Sequence, residues 1–91
     1  MRKKEKWVFI LNPTSGGGDG EKLEPELRRR IEARGIDADL VRTDYHGHAS
    51  EISAHYMEKA YTHFIAVGGD GTMNEVAGPL IGSSNVTLGL I

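Results

Sequence analysis

The stretch VGGDGTMNEV, residues 67–76, decides how the rest of the chain is interpreted. It follows the short apolar run FIAV, residues 64–67, and it leads into a segment with helical spacing. Glycines at a strand-to-helix turn permit positive φ angles and leave backbone N–H groups exposed. The following helix adds unpaired N–H donors and the positive end of its dipole, so the expected ligand is a phosphate.

Asp70 is the exception in this turn, because it places an anion where anions bind. A metal ion, a sugar hydroxyl or a reacting hydroxyl would each explain it. The alternative is a plain tight turn that packs on the sheet, and three glycines around one aspartate are an unusual way to build one. A ligand site at residues 68–72 is therefore the favoured interpretation.

Composition narrows the class of protein. The chain has 91 residues, which is one domain at most, and 38% of its residues are hydrophobic, as in globular proteins. Its 11 basic and 13 acidic residues give a net charge of −2, which argues against a nucleic-acid partner held by bulk charge. The absence of cysteine from the sequence excludes disulfides and thiolate metal sites.

The N-terminal segment has some features of a signal peptide, with basic residues 2–6 before the apolar run 7–11. That run has only five residues before Asn12-Pro13, which is too short for the apolar region of a signal peptide. No run approaches the ~20 apolar residues that a membrane-spanning helix needs. We therefore expect a cytoplasmic protein without a transmembrane segment.

The hydrophobic pattern predicts the order β-α-β-α-β-α-β. Strands are expected at residues 7–11, 36–43, 64–67 and 86–91, and helices at 21–34, 49–61 and from 72 or 73 to 80 or 81. Pro25 is tolerated only near a first turn, so the regular part of the first helix should begin at Leu23 or Glu24. Pro79 should kink or shorten the third helix.

This alternation predicts a three-layer α/β/α Rossmann-like fold around a parallel sheet of about four strands. The loops after the first three strands then leave the same edge of the sheet, where ligands bind in open α/β folds. We prefer the strand order 2-1-3-4, with 3-2-1-4 as the competitor. In the preferred order, the Gly-rich loops at 12–20 and 68–74 form one anion cradle.

Other site motifs fit less well. Neither Gly-rich loop matches the P-loop pattern or the G-x-G-x-x-G spacing of dinucleotide-binding folds. His46 and His48 lie two residues apart, but no further ligand follows at a suitable spacing, so we predict no protein metal centre.

The stretch GGDGTMNEV at 68–76 closely resembles the nucleotide-binding signature of the diacylglycerol kinase catalytic domain, a family that includes bacterial lipid kinases and sphingosine and ceramide kinases. NPTSG at 12–16 looks like the first-loop motif of this family, and Thr43 and GHA at 47–49 also fit. The resemblance covers essentially the whole chain. The GGDGT core also occurs in NAD kinases and, with variation, in phosphofructokinases, and the residues after it favour the lipid kinases.

The resemblance implies ATP-dependent, Mg²⁺-assisted phosphorylation of a lipid hydroxyl, such as that of diacylglycerol, with the protein bound peripherally at a membrane surface. The residues that the resemblance places in contact with ATP are Asn12, Pro13, Thr14, Ser15, Gly16, Thr43, Gly68, Gly69, Asp70, Gly71, Thr72, Met73 and Asn74.

The expected roles follow from the chemistry of these residues. The N–H groups of residues 68, 69, 71 and 72 would neutralise phosphate charge, and Thr72 could cap the third helix. Asp70 would be the catalytic residue, either as the base for the substrate hydroxyl or by holding Mg²⁺ through water.

The family's catalytic region continues beyond the fourth strand into a Gly-Thr-Gly-Asn-type motif and a second, β-rich domain that helps to build the lipid and metal sites. Residues 1–91 are therefore expected to be an N-terminal nucleotide-binding subdomain that is inactive alone. Two alternatives stay open: an NAD-kinase-like phosphotransferase, and a nucleotide-binding module without catalysis.

Overall fold

The computed structural model describes residues 4–14 and 19–91 of the chain. Strands and helices alternate along these ranges, as the hydrophobic pattern predicts. In chain order, the elements are β1 (Trp7–Leu11), α1 (Asp19–Ala33), β2 (Ala38–Arg42), α2 (His48–Glu58), β3 (His63–Val67), α3 (Asp70–Ala77), a 3₁₀ turn (Gly78–Leu80) and β4 (Thr87–Leu90).

The four strands form one parallel sheet in the order β2-β1-β3-β4, which confirms the preferred order and excludes 3-2-1-4. Leu11, the last residue of β1, is level with Arg42 of β2 and with Val67 of β3. The three strands therefore end at one height, and the loops that follow them start side by side.

The sheet is covered on both faces, which confirms the three-layer α/β/α fold. Alternate residues of β1 and β3 point in opposite directions, as the pleat requires. Val8, Ile10, Phe64 and Ala66 pack against α2 and α3, in a core with Ala49, Ile52, Val76 and Leu80. Phe9, Leu11, Ile65 and Val67 face the other way and pack with Leu27 of α1.

The first helix begins at Asp19, earlier than the expected start at Leu23 or Glu24, and Pro25 lies inside it. The first turn of α1 is held against the loop after β1, where the N–H of Glu21 donates to the carbonyl of Pro13 at 3.2 Å. Gly20 is so close to this loop that an added Cβ would lie 2.1 Å from the carbonyl oxygen of Asn12. This packing orders the turn that precedes Pro25.

The third helix also begins early, at Asp70, with Gly69 as its N-cap. The extended backbone of Gly69 (φ −88°, ψ −169°) supplies the turn into the helix. Thr72 therefore lies within the first turn, 6% exposed, so the prediction that it caps the helix is wrong. The effect predicted for Pro79 is confirmed, because α3 ends at Ala77 and the chain continues as a 3₁₀ turn.

The second helix ends at Glu58 rather than at residue 61. Ala60 takes a left-handed conformation (φ 62°), and two hydrogen bonds close the helix: Ala60 N–H to the carbonyl of Met57 and Tyr61 N–H to that of Tyr56. This is the pattern of a Schellman motif, in which glycine is the usual residue. Among the described residues, no helix is long and apolar enough to cross a membrane.

Candidate functional site

A pocket of about 340 Å³ opens at the carboxyl edge of the sheet, where the loops after β1 and β2 meet the start of α3. Most of the residues that line it have polar side chains. The residues that line it are Asn12, Pro13, Thr14, Thr43, Asp44, Tyr45, His46, Ala49, Gly71, Thr72 and Glu75.

The first wall of the pocket is the loop after β1. The N–H of Asn12 donates to the carbonyl of Val67 at 2.9 Å, which fixes the start of this loop to the end of β3. The Asn12 Oδ1 atom then accepts both the N–H and the hydroxyl of Thr14, at 3.1 and 2.9 Å. Such a turn is a common role of asparagine, and it shapes the backbone that faces the pocket. Ser15 and Gly16 lie outside the described residues.

The second wall is the loop after β2. The N–H of Thr43 donates to the last carbonyl of β1 at 2.9 Å, and the N–H of Asp44 donates to His48 Nδ1 at 2.8 Å. The Tyr45 ring stacks on the His48 ring, with 4.3 Å between the centroids. The Tyr45 hydroxyl donates to Glu51 at 2.8 Å, and this bond raises the pKa of Tyr45 above its ordinary value of 10.0.

The third wall is the first turn of α3. The first α-helical hydrogen bond there runs from the N–H of Met73 to the carbonyl of Gly69, at 3.1 Å. The N–H groups of residues 70–72 precede that bond, so helix geometry leaves them outside the helical ladder. Gly71 and Thr72 line the pocket, which places part of this positive helix end at the cavity.

The fold requires glycine at only one of the three glycine positions in this turn. Gly68 has a φ of 153°, a conformation that strongly favours glycine. Gly69 has an ordinary φ of −88°, and a Cβ added at Gly69 or Gly71 would meet nothing within 4 Å. The described fold does not need glycine at these two positions, and the space in front of them is open.

The structure brings together six of the predicted site residues: Asn12, Pro13, Thr14, Thr43, Gly71 and Thr72. The wall formed by the described residues leaves out five others: Gly68, Gly69, Asp70, Met73 and Asn74. The N–H of Gly68 donates to the carbonyl of Ile91 at 3.3 Å. Met73 packs against the core that α2 and α3 cover. Asp70 is exposed at the first position of α3. Their roles as ligand contacts stay predictions.

Five further lining residues were missed by sequence reasoning: Asp44, Tyr45, His46, Ala49 and Glu75. The signal for Glu75 was present, because it follows Gly71 by four residues and so shares its face of the helix. The loop after β2 was predicted to leave this edge of the sheet, but its residues 44–46 were not named as ligand contacts.

The charges at the pocket are those of Asp44 and Glu75, and the described lining contains no lysine or arginine. His46 is fully exposed, with Nδ1 3.6 Å from a Glu75 oxygen. Across residues 4–14 and 19–91, no three histidine or acidic side chains are grouped so that they could hold a metal ion. A bound anion would therefore depend on backbone N–H groups and on any cation that it carries.

A family model, two curated relatives and a solved structure that this chain resembles all belong to the diacylglycerol kinases. The family model for the diacylglycerol kinase catalytic domain matches residues 6–91. A diacylglycerol kinase of Staphylococcus saprophyticus is 35% identical over 92 residues, covering 100% of this chain and 30% of the relative. A diacylglycerol kinase of Staphylococcus carnosus is 36% identical over 76 residues, or 84% of this chain and 24% of the relative.

A solved structure of a diacylglycerol kinase from Bacillus anthracis matches the fold with a TM-score of 0.75 at 29% identity. The match covers 100% of this chain and 31% of that one. The chain thus spans about a third or less of the length of these relatives.

Proposed function

Because the chain belongs to the diacylglycerol kinase catalytic domain family, we propose that it is the N-terminal nucleotide-binding subdomain, residues 1–91, of an ATP-dependent lipid kinase. The observation that carries this proposal is the convergence of three separate loops on one pocket at the carboxyl edge of the sheet. Their residues include both motifs that resemble the family signature.

The chemistry of the pocket suits the phosphates of ATP. First-turn N–H groups of α3 would bind phosphate oxygens, helped by the helix dipole. The open space at Gly69 and Gly71 would let the phosphates approach the backbone closely. Residues 12–14 would form the opposite wall, and Thr43 would contribute its hydroxyl from the end of β2.

Mg²⁺ fits this site as a companion of the nucleotide. Magnesium usually keeps several waters and binds through one or two carboxylates together with substrate phosphates. The described residues offer single carboxylates near the phosphate position rather than a cage, and Asp70 is the one that begins α3. If Asp70 has a metal-linked role, it would hold the ion through water.

In the reaction, the hydroxyl oxygen of the lipid forms a bond to the γ-phosphorus of ATP, the bond to the β-phosphate oxygen breaks, and ADP leaves. The hydroxyl proton leaves as the new bond forms. In one role, Asp70 would take this proton. In the other, Asp70 would hold Mg²⁺ through water, and the proton would pass to solvent. We propose that Asp70 is essential in one of these two roles.

The acceptor would be diacylglycerol or a similar lipid at a membrane surface, reached by peripheral binding from the cytoplasm. In this proposal the remainder of the longer protein builds most of the lipid site. Residues 1–91 alone would bind nucleotide without transferring phosphate.

The direct test is to incubate the longer protein with labelled ATP and a panel of lipids, with NAD as a competing acceptor. Label in a lipid but not in NAD supports the proposal. Label in NAD alone would favour an NAD-kinase-like enzyme, for which the GGDGT core at 68–72 is the motive. Nucleotide binding without any transfer would leave a non-catalytic binding module.

A further inference from the structure

We infer that Glu75 is a positioning residue for the nucleotide pocket, an inference that rests on the proposed function. Its Oε2 atom accepts the backbone N–H of Gly47 at 3.2 Å. Gly47 belongs to the loop after β2, and Glu75 belongs to the second turn of α3, 28 residues later. The bond therefore joins two walls of the pocket.

The environment of Glu75 suits this task. Its side chain is only 24% exposed, so the bond is partly shielded from water. Gly47 is the N-cap of α2 and has a φ of 91°. An N-cap N–H lies outside the ladder of its own helix and needs another acceptor. The Glu75 carboxylate supplies that acceptor and, as a charged group, makes a stronger bond than a neutral one.

The other hydrogen bonds of residues 44–48 stay within this loop and α2, and His46 adds a second contact to Glu75, at 3.6 Å. His48 accepts the N–H of Asp44, and Tyr45 stacks on His48 and donates to Glu51. Among the hydrogen bonds of the described residues, the bond to Glu75 is the one that runs from this loop to α3. Without it, the loop would keep its local structure and lose its hydrogen bond to the helix that carries Gly71 and Thr72.

The base of Glu75 is itself rigid. The next residue, Val76, is fully buried, and its carbonyl accepts the hydroxyl of Ser53 on α2 at 2.8 Å. Around this bond, Ala49 and Ile52 of α2 share an apolar core with Val76, and this packing keeps α3 in place against α2. Glu75 thus projects from a fixed helix, and its carboxylate sets where Gly47 and the neighbouring pocket residues lie.

Two substitutions separate geometry from charge. Glu75→Gln keeps an oxygen that can accept the N–H of Gly47, whereas Glu75→Ala removes the acceptor. Ser53→Ala is the matched control, because it breaks the other bond between α2 and α3, which is buried and does not face the pocket. All three are made in the 91-residue chain labelled with ¹⁵N.

The measurements are amide hydrogen exchange at Gly47 and the affinity for Mg-ATP by calorimetry. Glu75→Ala should speed exchange at Gly47 and weaken Mg-ATP binding, each by about tenfold, as expected for loss of one charge-assisted bond. Glu75→Gln should stay within about threefold of the parent chain in both. Ser53→Ala should lower the melting temperature and leave the affinity unchanged.

The two proposals fail in different ways. If the parent chain does not bind Mg-ATP, the proposed function fails, and exchange at Gly47 still decides whether Glu75 holds the loop. If the parent chain binds and Glu75→Ala binds equally well, the positioning role is overturned. It is also overturned if Ser53→Ala weakens binding as much as Glu75→Ala, because loss of either bond would then act only through general stability.

Discussion

The first turns of α1 and α3 have similar sequences but differ in how closely the rest of the protein packs against them. Both follow a buried strand of the sheet and contain glycine. At α1, a Cβ on Gly20 would lie 2.1 Å from the Asn12 carbonyl oxygen, so the fold itself excludes a side chain. At α3, a Cβ on Gly69 or Gly71 would meet nothing within 4 Å. One turn is closed by the protein, and the other is left open.

This difference separates structural glycines from candidate ligand-binding glycines. A glycine that the backbone and its neighbours require will be kept for stability whatever the protein binds. A glycine with an ordinary conformation in open space costs helix stability, since glycine is a poor helix former. Under the proposed function, the phosphates of ATP occupy the space in front of α3 and explain that cost.

The largest effect is expected at the residue between the two open glycines. Asp70→Asn in the longer protein should keep the fold and lower the rate of lipid phosphorylation by about 10²–10⁴-fold, the usual range for a lost acid–base group. The Mg²⁺ dependence separates the two roles. If Asp70 is the base, the variant should need the same Mg²⁺ concentration for activity as the unmodified protein. If Asp70 holds the ion, the variant should need a higher one. Near-normal turnover would remove Asp70 from the mechanism.

The closed turn should respond next most strongly. Gly20→Ala forces a Cβ against backbone atoms that cannot move away, so we expect unfolding free energy to fall by about 2–4 kcal/mol. Chemical denaturation of the 91-residue chain measures this change. A variant as stable as the parent chain would contradict the closed packing of α1 on the Asn12 loop.

The open turn should show the reverse pattern. Gly71→Ala should leave the chain as stable as before, or more stable by up to about 1 kcal/mol, because alanine favours the helix. Mg-ATP affinity should fall by about tenfold or more, since the methyl group enters the proposed phosphate space. Calorimetry and denaturation on the same sample check both. Unchanged affinity would mean that the space at Gly71 is not used.

The smallest effect lies away from both turns, at the end of α2. Burial, followed by the hydrogen bond to Asp39, raises the pKa of Tyr56 from 10.0 to about 12. Between these values the unfolded chain has lost the phenol proton and the folded chain retains it, so stability falls as pH rises from 10 to 12. Tyr56→Phe should flatten this part of the pH profile and leave Mg-ATP affinity unchanged. A profile as steep as that of the parent chain would contradict the assignment.

Much of this arrangement could be predicted from local sequence. The apolar run 7–11 gave the bounds of β1, and the paired Gly-rich loops supported the correct strand order. The first residues of α1 and α3 were not predicted correctly, because each start depends on the backbone of a glycine rather than on the hydrophobic pattern. Gly20 packs on the carbonyl of Asn12 in the preceding loop, and Gly69 caps α3 without a side-chain bond.

Two further features, the end of α2 and the contact of Glu75, were not predicted because they depend on residues far apart in the sequence. Ala60 takes a conformation usually reserved for glycine, at a helix end where Tyr56 and Tyr61 both donate to Asp39 of β2. Glu75 was visible in the motif, but its partner Gly47 lies in another loop. Patterns of residue type locate elements and motifs, whereas these bonds depend on the assembled fold.

The most direct test of the account is a Mg-ATP titration of the ¹⁵N-labelled 91-residue chain, followed by amide chemical shifts. We predict saturable shifts concentrated at residues 12, 14, 43–46 and 70–72, which belong to the three walls of the pocket, with the last turn of α1 unaffected. No saturation at millimolar Mg-ATP, or shifts centred away from these three walls, would contradict the account.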